Sequence, residues 1–402
     1  MDKKLNHIKN VLHGFFLAIG TTIAEPNTIL PLIISHFGGG SVLIGLYSAL
    51  LKGGAVIVQL YAAFHAQSYP HMQKYLRRVF LVRFLAWFFI GISIVTLGNN
   101  HPNLTLFCIG LGLFLFSFSA GFGAIYFRET VAKIFTHKFR GKSMATRQFF
   151  AAFASIISGA AAGYILQTQE APYSYGILFI VSTFLMGIGY TAFGLIDEPI
   201  KEKISKKEKS FKEFLKNSYK LLKADKVLQN QIFTFFFAYS YLFALPFIIL
   251  DAKQSITLDG NAIGTLITVQ MIGAMISNLI WGRFSARGLN KLIVHIILSI
   301  FIVAIILALI GGHLYIYMAI FFLIGAAADG SRIASGNLLV IISPEDKRPI
   351  YTALKTNIVS LGIFFPIVGG AILSLTSFSF LYIFTITLLI VSLVASFYLV
   401  DK

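Results

Sequence analysis

Cysteine is almost absent from this sequence of 402 residues, and its 16 acidic residues are about half as many as its 33 lysines and arginines. Cys108 is the only cysteine, so an internal disulfide is impossible, and its place in an apolar run argues against redox chemistry. The nine histidines are scattered without the spacing of metal ligands. No phosphate-binding loop of the type G-x-x-x-x-G-K-[ST] occurs. These absences predict a protein that is not an enzyme, with no catalytic residue, no metal site and no cofactor.

Apolar residues, in contrast, are abundant and occur in long runs. They make up 57% of the chain, charged residues make up 12%, and the mean hydropathy is +0.80. About six runs on each side of a polar stretch are long enough, at about 20 residues, to cross a bilayer as helices. Short alternating strands are absent, so a transmembrane barrel is excluded. The predicted spans are 13–34, 41–63, 79–97, 104–127, 147–166, 175–196, 227–250, 261–281, 291–310, 314–342, 350–373 and 378–400.

The polar stretch at residues 197–226 separates an N-terminal half, 1–196, from a C-terminal half, 227–402. Several of its apolar or small residues recur at helical spacing between lysines: Phe211, Phe214, Leu215, Ser218 and Leu222. Such a pattern is typical of a basic amphipathic helix that lies on a membrane surface. A solvated tether is the alternative interpretation, and in both cases the stretch links two membrane-embedded halves.

Lysine and arginine are concentrated in alternate loops, whereas the opposite set of loops offers only Lys253. This asymmetry follows the positive-inside rule and places both termini and the 197–226 stretch in the cytoplasm. The formal net charge of +17 therefore reflects topology, and we expect no nucleic-acid partner. The sequence predicts a monomeric, multi-pass protein of a bacterial-type cytoplasmic membrane, in contact with the lipid bilayer.

Matching residues in the two halves indicate an internal duplication. Arg140 and Arg147 in the first half have the same spacing as Arg348 and Lys355 in the second, which places each pair on one helix face. A second set aligns without gaps: Gly45, Gly54, Gln59 and Leu60 correspond to Gly264, Gly273, Asn278 and Leu279. Duplicated halves are a feature of many transporter folds.

On these features the chain resembles the major facilitator superfamily over its whole length. The most specific match is the loop at 282–291, which is similar to the family's signature loop at Gly282, Arg287 and Lys291. Ala286 stands where the family usually has aspartate, and residues 65–74 of the first half lack the signature, so the family's usual charge latch is in doubt. The resemblance implies an all-α membrane protein with 12 transmembrane helices in two pseudo-symmetric six-helix bundles.

The same resemblance implies alternating access, in which a central site opens to one side of the membrane at a time. Residues near the inner loops or at matching places in the two halves are then candidates for gating: Gln59, Asn278, Arg140, Arg147, Arg287, Arg348 and Lys355. For Arg147 and Lys355 the alternative is that they extend toward the cytoplasm as snorkelling side chains. For Gln59 and Asn278 the alternative is an amide hydrogen bond between helices.

Charged residues at bilayer depth are costly, so each predicts a cavity or a partner. Glu25 precedes Pro26 near the middle of the first span, and Lys52 lies at a similar depth in the second. Asp329 and Arg332, three residues apart, share one face of the tenth span. We expect Glu25 and Asp329 to carry protons during transport, with Lys52 and Arg332 as their charge partners or as substrate ligands. Fixed structural ion pairs are the alternative.

Hydroxyl groups on two spans that the family's pattern places around the central site are candidate substrate contacts: Tyr239, Tyr241, Ser117 and Tyr126. Packing is the alternative for these side chains, since aromatic stripes in membrane helices usually pack. The sequence thus predicts a secondary active transporter of a small polar or charged organic solute, driven by a proton gradient. A multidrug exporter that works as a proton antiporter is one alternative, and a non-transporting sensor or assembly factor on the same fold is another.

Overall fold

The computed structural model describes residues 3–25, 27–66, 69–200, 220–344 and 347–401, and all regular structure within these ranges is helical. The first half contains seven α-helices: α1 (Lys3–Ile23), α2 (Ile29–His36), α3 (Ser41–Ala66), α4 (Gln73–Thr96), α5 (Pro102–Ile134), α6 (His137–Thr168) and α7 (Tyr173–Gly194). The described residues of the second half contain eight: α8 (Lys226–Ala238), α9 (Leu245–Ser255), α10 (Gly260–Ala286), α11 (Asn290–Ile310), α12 (Leu314–Ile342), α13 (Arg348–Ser360), α14 (Phe365–Leu375) and α15 (Phe378–Ser396).

Eleven helical segments in the described ranges are long and apolar enough to cross a membrane. They are α3 to α7, α8 with α9, α10 to α12, α13 with α14, and α15. The remaining predicted span, 13–34, corresponds to α1 and α2, and the described residues between these two helices, 24, 25, 27 and 28, are not helical. The prediction of an all-helical membrane protein is therefore confirmed.

Three predicted spans are broken where continuous helices were expected. The first divides at residues 24–28, the seventh contains the 3₁₀ turn Tyr239–Phe243, and the eleventh contains the 3₁₀ turn Leu361–Phe364. Pro246 and Pro366 lie at the starts of the helices that resume after the latter two turns. Proline lacks a backbone N–H and fits best in the first turn of a helix, which explains why the helices restart there.

Helix α1 begins at Lys3, ten residues before the start of the predicted span 13–34. Its polar side chains pack against the rest of the first half. Asn10 Nδ2 donates to Ser143 Oγ over 3.0 Å, and Asn6 Nδ2 donates to the Asp197 carbonyl over 3.1 Å. Of the predicted amphipathic helix, only Leu222 lies within the described residues.

The chain divides into two compact units. The first comprises residues 1–39, 50–208 and 259–268, and the second comprises 40–49, 209–258 and 269–402. In the first unit Gly54 of α3 lies against Ser117 and Phe118 of α5, and in the second Gly273 of α10 lies against Phe322 of α12. The aligned glycines thus make equivalent helix contacts in the two halves, as an internal duplication predicts.

A carboxylate after the last helix of each half binds the start of an earlier helix, and we call each of these contacts a clasp. In the first half, buried Glu198 accepts hydrogen bonds from the backbone N–H groups of Met72 and Gln73, over 2.9 and 2.7 Å, and from Lys133 Nζ over 2.5 Å. In the second half, Asp401 Oδ2 accepts from the Lys291 N–H over 2.7 Å. Both carboxylates satisfy N–H groups that a helix start leaves unpaired.

Candidate functional site: charges inside the membrane

Asp329 of α12 is the centre of a polar cluster in the second unit. Its Oδ1 accepts a hydrogen bond from Arg332 Nη2 over 2.8 Å, one turn along the same helix. Its Oδ2 accepts from Asn278 Nδ2 of α10 over 2.6 Å. The structure therefore brings together two predicted charged residues and one predicted gating residue, with an ionised carboxylate as the shared acceptor.

Close packing of α10 on α12 produces this contact. A Cβ atom on Gly325 would overlap the carbonyl oxygen of Gln270, so only glycine permits the two backbones to approach this closely. At the next residue of α12, Trp281 Nε1 donates to the Ala326 carbonyl over 2.8 Å. The Gln270 and Trp281 contacts fix the register of the two helices and place Asn278 beside Asp329.

The pair is exposed to different extents. The side chain of Arg332 is 72% exposed and that of Asp329 is 23% exposed. Arg332 lies about 27 Å from the start of α12 and about 15 Å from its end, at 1.5 Å per residue, which is well inside the membrane-spanning part. A guanidinium at that depth does not remain exposed to hydrocarbon, so Arg332 lines a hydrated space.

Tyr239 and Tyr241 lie close to this cluster, on the 3₁₀ turn between α8 and α9. Tyr241 stacks on Phe301 with a centroid distance of 4.2 Å, and its phenol group lies within electrostatic range of Asp329. Tyr239 packs on Gly362 and lies within electrostatic range of Arg332. The break in the seventh span thus places two tyrosines within electrostatic range of the ion pair.

Glu25 has a different environment, because its own turn satisfies its carboxylate. Glu25 Oε2 accepts from the backbone N–H groups of Asn27 and Thr28, over 2.7 and 2.8 Å, and from Thr28 Oγ1 over 2.7 Å. Glu25 Oε1 accepts from Asn27 Nδ2 over 2.8 Å. The residue is 5% exposed and lies in the break between α1 and α2. The carboxylate therefore caps the start of α2, where Thr28 makes no side-chain cap of its own.

Lys52 lies in the middle of α3, and its side chain is exposed. Among the residues that the structure describes, no carboxylate approaches its Nζ within 4.0 Å, although Glu25 is close enough to act on it electrostatically. The predicted ion pair between the two is thus not formed in this structure. An exposed ammonium group at this depth requires a hydrated neighbourhood, as the exposed guanidinium of Arg332 does.

Arg147 and Lys355, the matching basic residues of the duplication, both lie inside their own half. Arg147 Nη2 is 3.1 Å from His13 Nδ1, and its guanidinium lies 4.9 Å from the centroid of the Phe127 ring. Lys355 is 3% exposed, and its Nζ donates to the Ser335 carbonyl over 2.6 Å and lies 4.1 Å from the Phe235 ring centroid. Aromatic faces and neutral acceptors hold both cations, so neither extends toward the surface.

Of the other predicted residues, Ser117, Tyr126, Gln59 and Arg140 belong to the first unit, and Arg287 and Arg348 belong to the second. Ser117 accepts a hydrogen bond from the Ala55 N–H over 3.1 Å, and Tyr126 packs near Tyr69 and Tyr75. Gln59 and Arg140 are half-buried, and Arg287 is exposed, whereas the Arg348 side chain lies outside the described part of the chain. The described residues include no group of three or more histidine, cysteine, aspartate or glutamate side chains that could hold a metal ion.

Sequence reasoning missed two membrane-depth charges that the structure places inside the helices' packing. The guanidinium of Arg83 in α4 lies 4.2 Å from the centroid of the Phe116 ring. Asp251 in α9 accepts hydrogen bonds from the hydroxyl groups of Tyr317 and Tyr382, over 3.2 and 3.1 Å. The signal for Arg83 was available, since it is a charge within the predicted span 79–97. Asp251 was missed because it lies one residue beyond the predicted end of its span.

Comparisons with known proteins agree with this architecture. The sequence model of the Major Facilitator Superfamily matches residues 11–251 and 230–402. A comparison with curated protein sequences finds no match.

Solved transporter structures share the fold. A mutant form of the nucleoside transporter NupG superposes with a TM-score of 0.79 at 11% identity, covering 98% of this chain and 99% of that chain. The D-xylose-proton symporter gives 0.70 at 11% identity, with 99% and 97% covered. A bacterial homologue of the iron transporter ferroportin, in an inward-facing state, gives 0.69 at 12% identity, with 99% of both chains covered.

Proposed function

The chain belongs to the major facilitator superfamily, and we propose on that basis that it is a proton-coupled secondary transporter of a small, negatively charged organic solute. The observation that supports this most directly is the ion pair of Asp329 and Arg332, whose cationic member is 72% exposed at membrane depth. A charge exposed there can bind a solute and carry transport, whereas a buried, fully paired charge cannot.

The sign of the solute follows from an excess of positive charge. Among the described residues, no carboxylate lies within 4.0 Å of four basic side chains in the membrane-spanning helices, which are Lys52, Arg83, Arg147 and Lys355. Of these four, Lys52 is exposed, and an exposed cation without a carboxylate partner attracts anions. A carboxylate or phosphate on the solute would complete this charge balance, and a cationic drug would not.

The cluster also suggests how proton and solute are coupled. Arg332 neutralises Asp329 when the site is empty, and an anionic group of the solute would compete for the same guanidinium. A solute that binds the Arg332 guanidinium leaves Asp329 with Asn278 as its one remaining hydrogen-bond donor in the cluster. A carboxylate without a cationic partner at this depth is then expected to bind a proton. Solute and proton would thus enter together, and alternating access would carry both across. Tyr239 and Tyr241 would supply hydroxyl contacts to the solute.

Reconstituted liposomes that contain a pH-sensitive dye test this proposal. Panels of organic anions, zwitterions, neutral sugars and cations are added outside under an imposed pH gradient, and the internal pH is followed. We expect acidification of the interior with an organic anion and no response with protein-free liposomes. Proton flux driven only by neutral or cationic solutes would contradict the anionic assignment, and flux driven by none would contradict coupled transport.

Extrusion of hydrophobic cations, the alternative within transport, finds less support. Phenylalanine-rich fourth and seventh spans would favour it, and in the seventh span Phe236 contacts Phe365 of the second unit with ring centroids 5.1 Å apart. Efflux of a fluorescent hydrophobic cation from cells discriminates the two functions. For a non-transporting sensor, labelling of engineered cysteines from both sides of the membrane would show no alternation. We place the protein in a bacterial cytoplasmic membrane as a monomer, with both termini inside.

A further inference from the structure

Two apolar grooves run side by side along α8 and share one wall. The first, with a volume of about 570 Å³, lies between α8 and the turn after α13, where Ile358 and Leu361 line it. The second, of about 370 Å³, lies between α8 and α15, where Val391 and Val394 line it. Phe233, which is 45% exposed, belongs to both grooves and forms the ridge between them.

The length and depth of the grooves fit one membrane leaflet. From Gln229 to Phe237 the first groove follows α8 for about 12 Å, and from Ile390 to Tyr398 the second follows α15 for a similar distance. Half of the hydrocarbon core of a bilayer is about 15 Å thick. Each groove therefore matches the depth of one acyl chain, and the ridge at Phe233 would separate two chains.

The polar ends of both grooves lie together and carry positive charge. Lys223 lines the first groove, and Lys220 and Lys226 are exposed beside it. Tyr398, at the corresponding end of the second groove, is 75% exposed, which suits an aromatic ring at a membrane interface. The positive-inside rule assigns this end to the cytoplasmic surface. An anionic headgroup placed here would meet the lysines.

We propose that the two grooves flanking Phe233 bind one anionic, two-chain phospholipid of the cytoplasmic leaflet, with its headgroup at Lys223. Apolar contact with the grooves alone does not favour one lipid over another, because acyl chains that enter the grooves leave an equally apolar bilayer interior. Selectivity therefore comes from the lysines, and the two grooves fix the position of the chains. This site does not depend on which solute is transported.

Native mass spectrometry of the purified, delipidated protein tests this site with two lipids of identical acyl chains, phosphatidylglycerol and phosphatidylcholine. We expect one phosphatidylglycerol per protein, bound about tenfold more tightly than phosphatidylcholine. Lys223→Gln should remove most of this preference, and Lys253→Gln, a change of the exposed lysine on the opposite side, should leave it intact.

A second pair of variants tests the grooves themselves. Val394→Trp fills the second groove and should weaken the binding of both lipids, whereas Ile188→Trp places the same ring on a comparably exposed position of α7 and should not. Equal affinity for the two lipids would overturn the proposal. Unchanged lipid binding in Val394→Trp would overturn it as well. The same holds if the protein forms a dimer in place of binding lipid, or if residues 201–219 cover the grooves and exclude lipid.

Discussion

Glu25 and Asp329 are both carboxylates at membrane depth, yet their surroundings differ in a way that separates structure from function. Glu25 is 5% exposed and accepts four hydrogen bonds from Asn27 and Thr28 of its own turn. The Asp329 side chain is 23% exposed, and it is held by side chains three and 51 residues away along the chain, Arg332 and Asn278.

The two carboxylates differ in whether their hydrogen-bond donors can turn to another acceptor. Two donors of Glu25 are backbone N–H groups at a helix start, which need an acceptor at all times. The donors of Asp329 are side chains that can turn to another acceptor, such as a bound anion. We therefore assign proton coupling to Asp329 first, and the coupling role of Glu25 stays a prediction that substitution can test.

The largest effect is expected for Asp329→Asn, which removes the exchangeable proton site. Uptake driven by a pH gradient should fall about 100-fold, equivalent to roughly 2.7 kcal/mol, whereas solute exchange without a gradient should persist. The measurement is the initial rate in proteoliposomes with and without the gradient. Asp259→Asn is the matched control, because Asp259 caps α10 by accepting from the Ala262 N–H and asparagine caps equally well. Gradient-driven uptake at the normal rate would remove Asp329 from coupling.

Arg332→Gln should act on solute binding rather than on the energy source. Loss of a charged hydrogen bond to the solute predicts about a tenfold or larger increase in KM, because such bonds contribute about 1.5–3 kcal/mol. Arg332→Lys keeps the charge and should recover part of the affinity. A normal KM in Arg332→Gln would show that the solute binds elsewhere.

Glu25→Ala should lower stability and leave coupling in place. Two backbone N–H groups and the Thr28 hydroxyl lose their acceptor, which predicts a loss of about 2–4 kcal/mol in unfolding free energy. Denaturation in detergent measures this, with Glu129→Ala as the control on a half-buried glutamate of α5. Unchanged stability would contradict the capping role.

The smallest effect is expected for Glu25→Gln. Its amide oxygen can take the place of Oε2, and the Asn27 amide can turn to offer its oxygen, so we expect a loss of about 1 kcal/mol or less. Uptake should still follow the pH gradient in full. Loss of the gradient dependence in this stable variant would show that Glu25 takes part in proton coupling.

The sequence allowed the fold and the ion pair on α12 to be predicted, because hydropathy and helical spacing determine both. Asp329 and Arg332 are three residues apart, so their contact needs no tertiary information. The bond from Asn278 to Asp329 joins two helices, and only the packing at Gly325 reveals it.

The environment of Glu25 was missed for a different reason. Lys52 was the expected partner because it is a charge at similar depth, but the donors lay directly after Glu25, at Asn27 and Thr28. Capping rules applied to Asn27 and Thr28, which directly precede α2, would have indicated them. The 3₁₀ turns at Tyr239 and Leu361 were also missed, since hydropathy does not report where a helix is interrupted within an apolar run.

The clasps at Glu198 and Asp401 bear on how the molecule can be divided. Each closes within its own half: Glu198 reaches Met72 and Gln73, and Asp401 reaches Lys291. A chain break introduced between residues 201 and 219 therefore leaves both clasps intact. We expect the two halves to be expressible together as separate polypeptides. A chain break before residue 197 would place Glu198 on the other polypeptide from α4, whose first N–H groups it accepts from.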